Sequence, residues 1–186
     1  MPCGNVVAPR LASDEPCIRL TGLSSEFIEG NAHRARITGV KAAILVESLT
    51  GNTWSAAEKV AGLLQQERWT ITGLSKVKRP DHQSIHDADL VLVGTWVHGA
   101  FIFGQAPWAA SSIANLPAMR GKRAAAFCTF ALDPGNALDK LDRALGDTGA
   151  YVIGGLAMSR SKLDAHTEVF AERLVEAMAT QPATPG

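Results

Sequence analysis

The sequence predicts a three-layer, doubly wound α/β domain built on a five-stranded parallel sheet, and three observations carry that reading. Short apolar runs recur without alternation, as strands buried on both faces require. Stretches of helical period separate them. Turn-forming residues stand at the junctions. Strands alternating with helices make βαβ units, which need parallel pairing and cover on both faces.

The elements follow in order. Ala42-Ala43-Ile44-Leu45-Val46 is the first strand. A polar turn, Ser48 to Thr53, leads to a helical stripe of Ala57, Val60, Ala61 and Leu64. Trp69 to Gly73 reads as the second strand and Leu90 to Gly94 as the third. The fourth lies within Arg123 to Phe130, around Ala124-Ala125-Ala126-Phe127-Cys128. Leu138, Leu141, Ala144 and Leu145 trace a helix ending at Gly146. Tyr151 to Leu156 is the fifth strand, and Leu163 to Met178 closes the domain as a helix. The domain therefore spans residues 39–180. Residues 1–38, with Pro at 2, 9 and 16, hold no lasting period and read as a loosely structured extension or a docking segment. Residues 181–186 form a short tail.

Composition narrows the function. With 46% hydrophobic and 19% charged residues among 186, the chain is neither disordered nor a coiled coil. Lys plus Arg equals Asp plus Glu, 18 against 18, which removes the basic excess that nucleic acid or an anionic membrane surface would demand. No apolar run reaches a membrane-spanning length, so no membrane insertion is expected. No secretory signal is visible, and three widely spaced cysteines suggest neither a disulfide framework nor a zinc site. A cytoplasmic location is the expectation.

Ligands of open α/β sheets sit beyond the carboxyl ends of the strands, where the winding reverses. The first such turn is Ser48-Leu49-Thr50-Gly51-Asn52-Thr53: three hydroxyls, an amide and a glycine ahead of a helix. Its N–H and hydroxyl donors can converge on one anion, helped by the helix dipole. Helix capping explains one of these residues but not the set. The turn is not GxxxxGK[ST], and GxGxxG is absent.

The stretch from Val46 to Thr53 matches Ser/Thr-x-Thr-Gly-Asn-Thr and resembles the phosphate loop of the flavodoxin family, which binds flavin mononucleotide (FMN). In element order the resemblance covers about residues 40–178. It implies strand order 2-1-3-4-5, FMN as cofactor, and electron transfer with the flavin cycling between oxidised, semiquinone and hydroquinone forms. Redox partner proteins, a reductase and an acceptor, follow from the same resemblance. The turn after the third strand, Gly94-Thr95-Trp96-Val97-His98-Gly99, matches a second family position. By that likeness Thr95 donates to phosphate and Trp96 covers one ring face, while Val97, His98 and Gly99 face the flavin N5. A buried core aromatic is the competing reading of Trp96, and a solvated loop histidine that of His98. After the fourth strand, Thr129, Phe130 and Asp133 belong to the loop expected at the pyrimidine edge. Family members often put a Tyr there, which this chain lacks; Phe130 or Leu132 is the substitute.

Other constellations are weaker. His82 and His86 stand four apart in a polar connection without a third ligand, so no metal site is expected. Ala100 to Trp108 is strongly apolar and fits either core or an exposed docking rim. Clusters at Lys76-Val77-Lys78-Arg79 and Arg120-Gly121-Lys122-Arg123 are expected as solvated faces at the sheet's amino edge. No side chain reads as a catalytic acid, base or nucleophile. The alternative function is an FMN-dependent NAD(P)H oxidoreductase of quinone-reductase type. It stays open because residues 40–186 carry 14 basic and 14 acidic side chains, whereas flavodoxin carriers are commonly acidic.

Overall fold

The computed structural model describes residues 18–20, 39–97 and 110–180. Its strands are β1 (Ile18–Leu20), β2 (Lys41–Val46), β3 (Thr70–Lys76), β4 (Leu90–Trp96), β5 (Arg123–Phe130) and β6 (Tyr151–Ser159). They form one sheet in the order β1-β6-β5-β4-β2-β3. The five strands from β2 to β6 are all parallel. Numbered among themselves they run 2-1-3-4-5, so the winding direction switches between β2 and β4.

Why these segments are strands is visible in how their residues divide. Ala42, Ile44 and Val46 of β2, Leu90 and Leu92 of β4, and Ala125 and Phe127 of β5 enter one buried cluster. Ala43, Leu45, Val91, Val93, Ala124 and Ala126 enter the other. Alternate side chains thus reach opposite faces, and both faces are dry, which makes the runs continuously apolar. Helices α1 (Asn52–Gln66) and α5 (Leu163–Thr180) cover the first face. Helices α2 (His82–Asp87), α3 (Ala110–Ile113) and α4 (Ala137–Asp147), with the segment around Leu116 and Met119, cover the second. Among the described residues, no helix is long and apolar enough to cross a membrane.

Three features differ from the sequence reading. First, β1 adds a sixth strand, antiparallel to β6, with Ile18 opposite Leu156 and Leu20 opposite Gly154. Three residues cannot display a period of two, so the pattern gives no sign of it. Second, the polar connection holding His82 and His86 is the helix α2, capped by Asp81, whose carboxylate accepts from the N–H groups of Gln83 and Ser84. Third, the cluster of Lys76, Lys78 and Arg79 lies at the carboxyl edge, not the amino edge. Edge strand β3 is half-buried and continues through polar residues past Gly73, until Lys76 pairs with Val46. Arg123 begins β5 at the amino edge, as expected for the second cluster, but it is buried rather than solvated and its guanidinium reaches the Met178 sulfur at 3.2 Å.

Candidate functional site

The carboxyl ends of β2, β4 and β5 bring the expected loops together. Glu47, next after β2, donates its N–H to the Gly94 carbonyl at 2.9 Å and accepts from the Lys78 N–H at 2.9 Å through its carboxylate. The turn that follows is ordered from within. Ser48 Oγ accepts from the Gly51 N–H at 3.0 Å, and Thr50 Oγ1 accepts from the Asn52 side-chain amide at 3.0 Å. Both hydroxyls serve as acceptors here, so neither proton is used in these two bonds. Gly51 sits at φ 88°, in the left-handed region that a side chain would disfavour.

Helix α1 begins without a cap. Its first backbone bond is Ser55 N–H to the Gly51 carbonyl at 2.8 Å, and among the described residues no acceptor meets the N–H of Asn52, Thr53 or Trp54. Three oriented donors at the amino end of a 15-residue helix are an arrangement that could hold an anion. The capping explanation for this hexapeptide therefore does not hold.

Thr53 departs from its neighbours. It is 1% exposed, and its Oγ1 lies 2.7 Å from Oγ1 of Thr129, itself fully buried. Thr129 stands opposite Trp96 in the sheet, and its carbonyl accepts the Val97 N–H at 2.9 Å. Thr95 is fully buried and makes one long bond, 3.5 Å, to the Trp96 carbonyl. Trp96 is 5% exposed. In the last loop Phe130 is half-buried against the α4-side core. Leu132 is 71% exposed, and Asp133 accepts from the Gly135 N–H at 2.9 Å. His98, Gly99 and the apolar stretch 100–108 lie outside the described residues.

Some contributors escaped the sequence reading. Glu47 stapling β2 to the turn after β3 has no motif, and the Thr53–Thr129 pair joins residues 76 positions apart. Gly94 could have been suspected, as a glycine within an apolar strand marks a close approach. A Cβ there would run into the Phe127 ring. The basic cluster of β3 now stands beside the turn, with Val77 N–H on the Val46 carbonyl at 3.3 Å.

A parallel sheet whose switch point lies between β2 and β4, topped by an uncapped helix end, defines a doubly wound α/β protein with hydrogen-bond donors gathered at that point. The chain belongs to the flavodoxin domain family, whose model, described as Flavodoxin domain, matches residues 43–166. Solved structures agree. Flavodoxin from Streptococcus pneumoniae TIGR4 is 25% identical, with a TM-score of 0.55, covering 74% of this chain and 99% of its own. Oxidised flavodoxin 1 from Bacillus cereus is 22% identical, with a TM-score of 0.59 and coverage of 76% and 99%. Two-electron reduced flavodoxin from Megasphaera elsdenii is 21% identical, with a TM-score of 0.58 and coverage of 75% and 99%. No curated protein sequence matches the chain.

Proposed function

We propose that this protein binds FMN and passes electrons between partner proteins. The observation that carries the reading is the uncapped start of α1, with free N–H groups at Asn52, Thr53 and Trp54 beside the hydroxyls of Ser48 and Thr50. A phosphate dianion matches that donor set. Bound flavin supplies one- and two-electron chemistry of its own. The chain's part is to hold the phosphate at 48–53, to wall the ring with Trp96 on one side and Leu132 on the other, and to meet the pyrimidine edge with the loop from Thr129 to Asp133. Val97, with His98 and Gly99, takes the N5 side by family likeness. Stacking requires one indole face to be freed, since Trp96 is 5% exposed.

The first test is the visible spectrum of the purified protein, repeated after adding FMN and desalting. Bands near about 370 and 450 nm, where oxidised flavin absorbs by its own chemistry, are expected. A colourless protein that does not retain FMN would end this reading. Thr50→Ala should weaken FMN binding about fivefold or more through loss of a charge-assisted bond while leaving riboflavin affinity unchanged. Fluorescence titration measures both, and equal losses would remove Thr50 from the phosphate.

One observation favours a second reading, an NAD(P)H-dependent FMN oxidoreductase. Lys76, Lys78 and Arg79 stand at the carboxyl edge, where they suit an anionic co-substrate. Bleaching of bound flavin by NAD(P)H alone would favour the enzyme; a requirement for a separate reductase would favour the carrier.

A further inference from the structure

We propose that the carboxyl edge of the sheet is the docking face for a redox partner protein, and that the surface this partner presents to it is acidic. The inference rests on the FMN reading above and names the chemistry of the partner. Among the described residues, the strand ends and turns at this edge are 47–51, 76–81, 131–136 and 160–162. They carry the cations Lys76, Lys78, Arg79, Arg160 and Lys162 against the carboxylates Glu47, Asp81 and Asp133. The connection 98–109 lies outside the described residues, and its sequence adds no Asp, Glu, Lys or Arg. Each of the three carboxylates accepts from the chain's own N–H groups. Glu47 is buried and accepts from Lys78 N–H, Asp81 caps α2, and Asp133 accepts from Gly135 N–H. In the first helical turns, Asp164 is paired with Lys59 and Asp139 is followed by Lys140. Lys76, Lys78 and Arg79 are exposed, on a turn fixed to β2. Val77 N–H meets the Val46 carbonyl at 3.3 Å, and Arg79 N–H meets the Lys76 carbonyl at 3.0 Å. Cations held on such a turn need little further ordering when a partner arrives.

Strand order lays these groups out as an interface. β3 and β6 are the outer members of the five parallel strands, so Lys76, Lys78 and Arg79 stand at one flank and Arg160 and Lys162 at the other. Four strand spacings, about 19 Å, separate the flanks. Between them, after β2 and β5, Leu49 is 67% exposed and Leu132 71%. Among the described residues the third exposed large apolar side chain, Tyr151, begins β6 at the opposite edge. An apolar middle inside a charged rim is the anatomy of a protein–protein contact. A single phosphate group cannot meet both flanks, whereas a partner surface of about 800 Å² can. The whole chain has formal net charge 0, so this local excess steers the approach, drawing acidic surfaces and repelling basic ones.

The test titrates the full-length protein, followed by amide NMR at low salt, with octaglutamate, octalysine and NADPH. Octaglutamate is expected to shift the amides of 76–79 and 160–162, and to lose that effect at about 1 M salt, where charges are screened beyond roughly 3 Å. Octalysine is expected to leave both segments unshifted. Lys76→Gln, Lys78→Gln and Arg79→Gln together should weaken octaglutamate about fivefold or more, the sum of three exposed pairs, with the remaining amides reporting an intact fold. Lys162→Gln serves the same comparison at the other flank if the triple variant is not recovered folded. Octalysine shifting this edge in preference, octaglutamate binding only elsewhere, or unchanged affinity in the variants would overturn the proposal. NADPH shifting 76–79 alone, at lower concentration than octaglutamate, would assign these cations to a co-substrate and overturn it equally. None of the probes needs FMN. A wild-type protein that takes octaglutamate at both flanks but retains no FMN would end the cofactor reading and leave the acidic-partner face standing.

Discussion

Gly94 lacks a side chain because Phe127 occupies its space. The ring is fully buried and meets Phe170 of α5 with centroids 5.7 Å apart and planes tilted by 54°. A Cβ on Gly94 has nowhere to go except into that ring. Gly94→Ala is therefore expected to cost about 3 kcal/mol, as overpacking of a tight core does. Denaturant unfolding would measure it, and adding Phe127→Leu should recover part of the loss; an unaltered midpoint would show that the ring yields freely. Residues differ in how plainly the sequence exposes them. The donor-rich turn at 48–53 was legible because its polar residues are adjacent in the sequence. Thr53 was legible as a member of that turn but not as the partner of Thr129, since nothing local specifies a contact across 76 positions.

At the scale of elements, long apolar runs declared themselves and short or half-exposed ones did not. The fourth strand's limits, Arg123–Phe130, were readable because every residue up to Phe130 is buried. Strand β3 ran past its expected end because solvent on its edge permits Ser75 and Lys76. Helix α2 has six residues, fewer than two turns, so no period could show, although Asp81 was a readable cap. The junction of β6 with α5 turns on His166, a buried residue whose Nδ1 accepts the Ser159 N–H at 3.0 Å. Burial first, and the nearby Lys162 charge second, hold this imidazole below its ordinary value of 6.5. The unfolded chain then binds the proton more readily than the folded one. Stability is full above that value and falls as pH drops from about 6.5 toward the folded pKa. His166→Asn keeps an acceptor and removes the titration, so its unfolding free energy should lose this part of the acid slope. Denaturant titrations on either side of pH 6.5 test this; equal slopes in both proteins would rule it out.

For the whole molecule, strand order was legible through family likeness alone, because periodicity does not say which strand lies beside which. The charge balance was legible, but its placement was not: the basic group of Lys76, Lys78 and Arg79 ended at the carboxyl edge. The antiparallel cover on β6 was invisible. Adjacent residues of a strand point their N–H groups to opposite sides, so Ile18→Pro with Arg19→Pro must remove any donor that pair offers to β6. Hydrogen exchange at Gly154 to Leu156 is expected to quicken about tenfold in that variant, with the five parallel strands unaffected. Unchanged exchange there would mean that β1 does not protect this edge.

The pairing of Ile18 with Leu156 also sets an order in time. On a ribosome, Ile18 is made roughly 140 residues before its partner, an interval of about 7 to 28 s at common synthesis rates. The N-terminal strand must wait, unpaired, until nearly the whole domain exists. Its docking then falls late, after the chain's ends meet, so weakening it should hasten unfolding and leave the folding rate almost untouched.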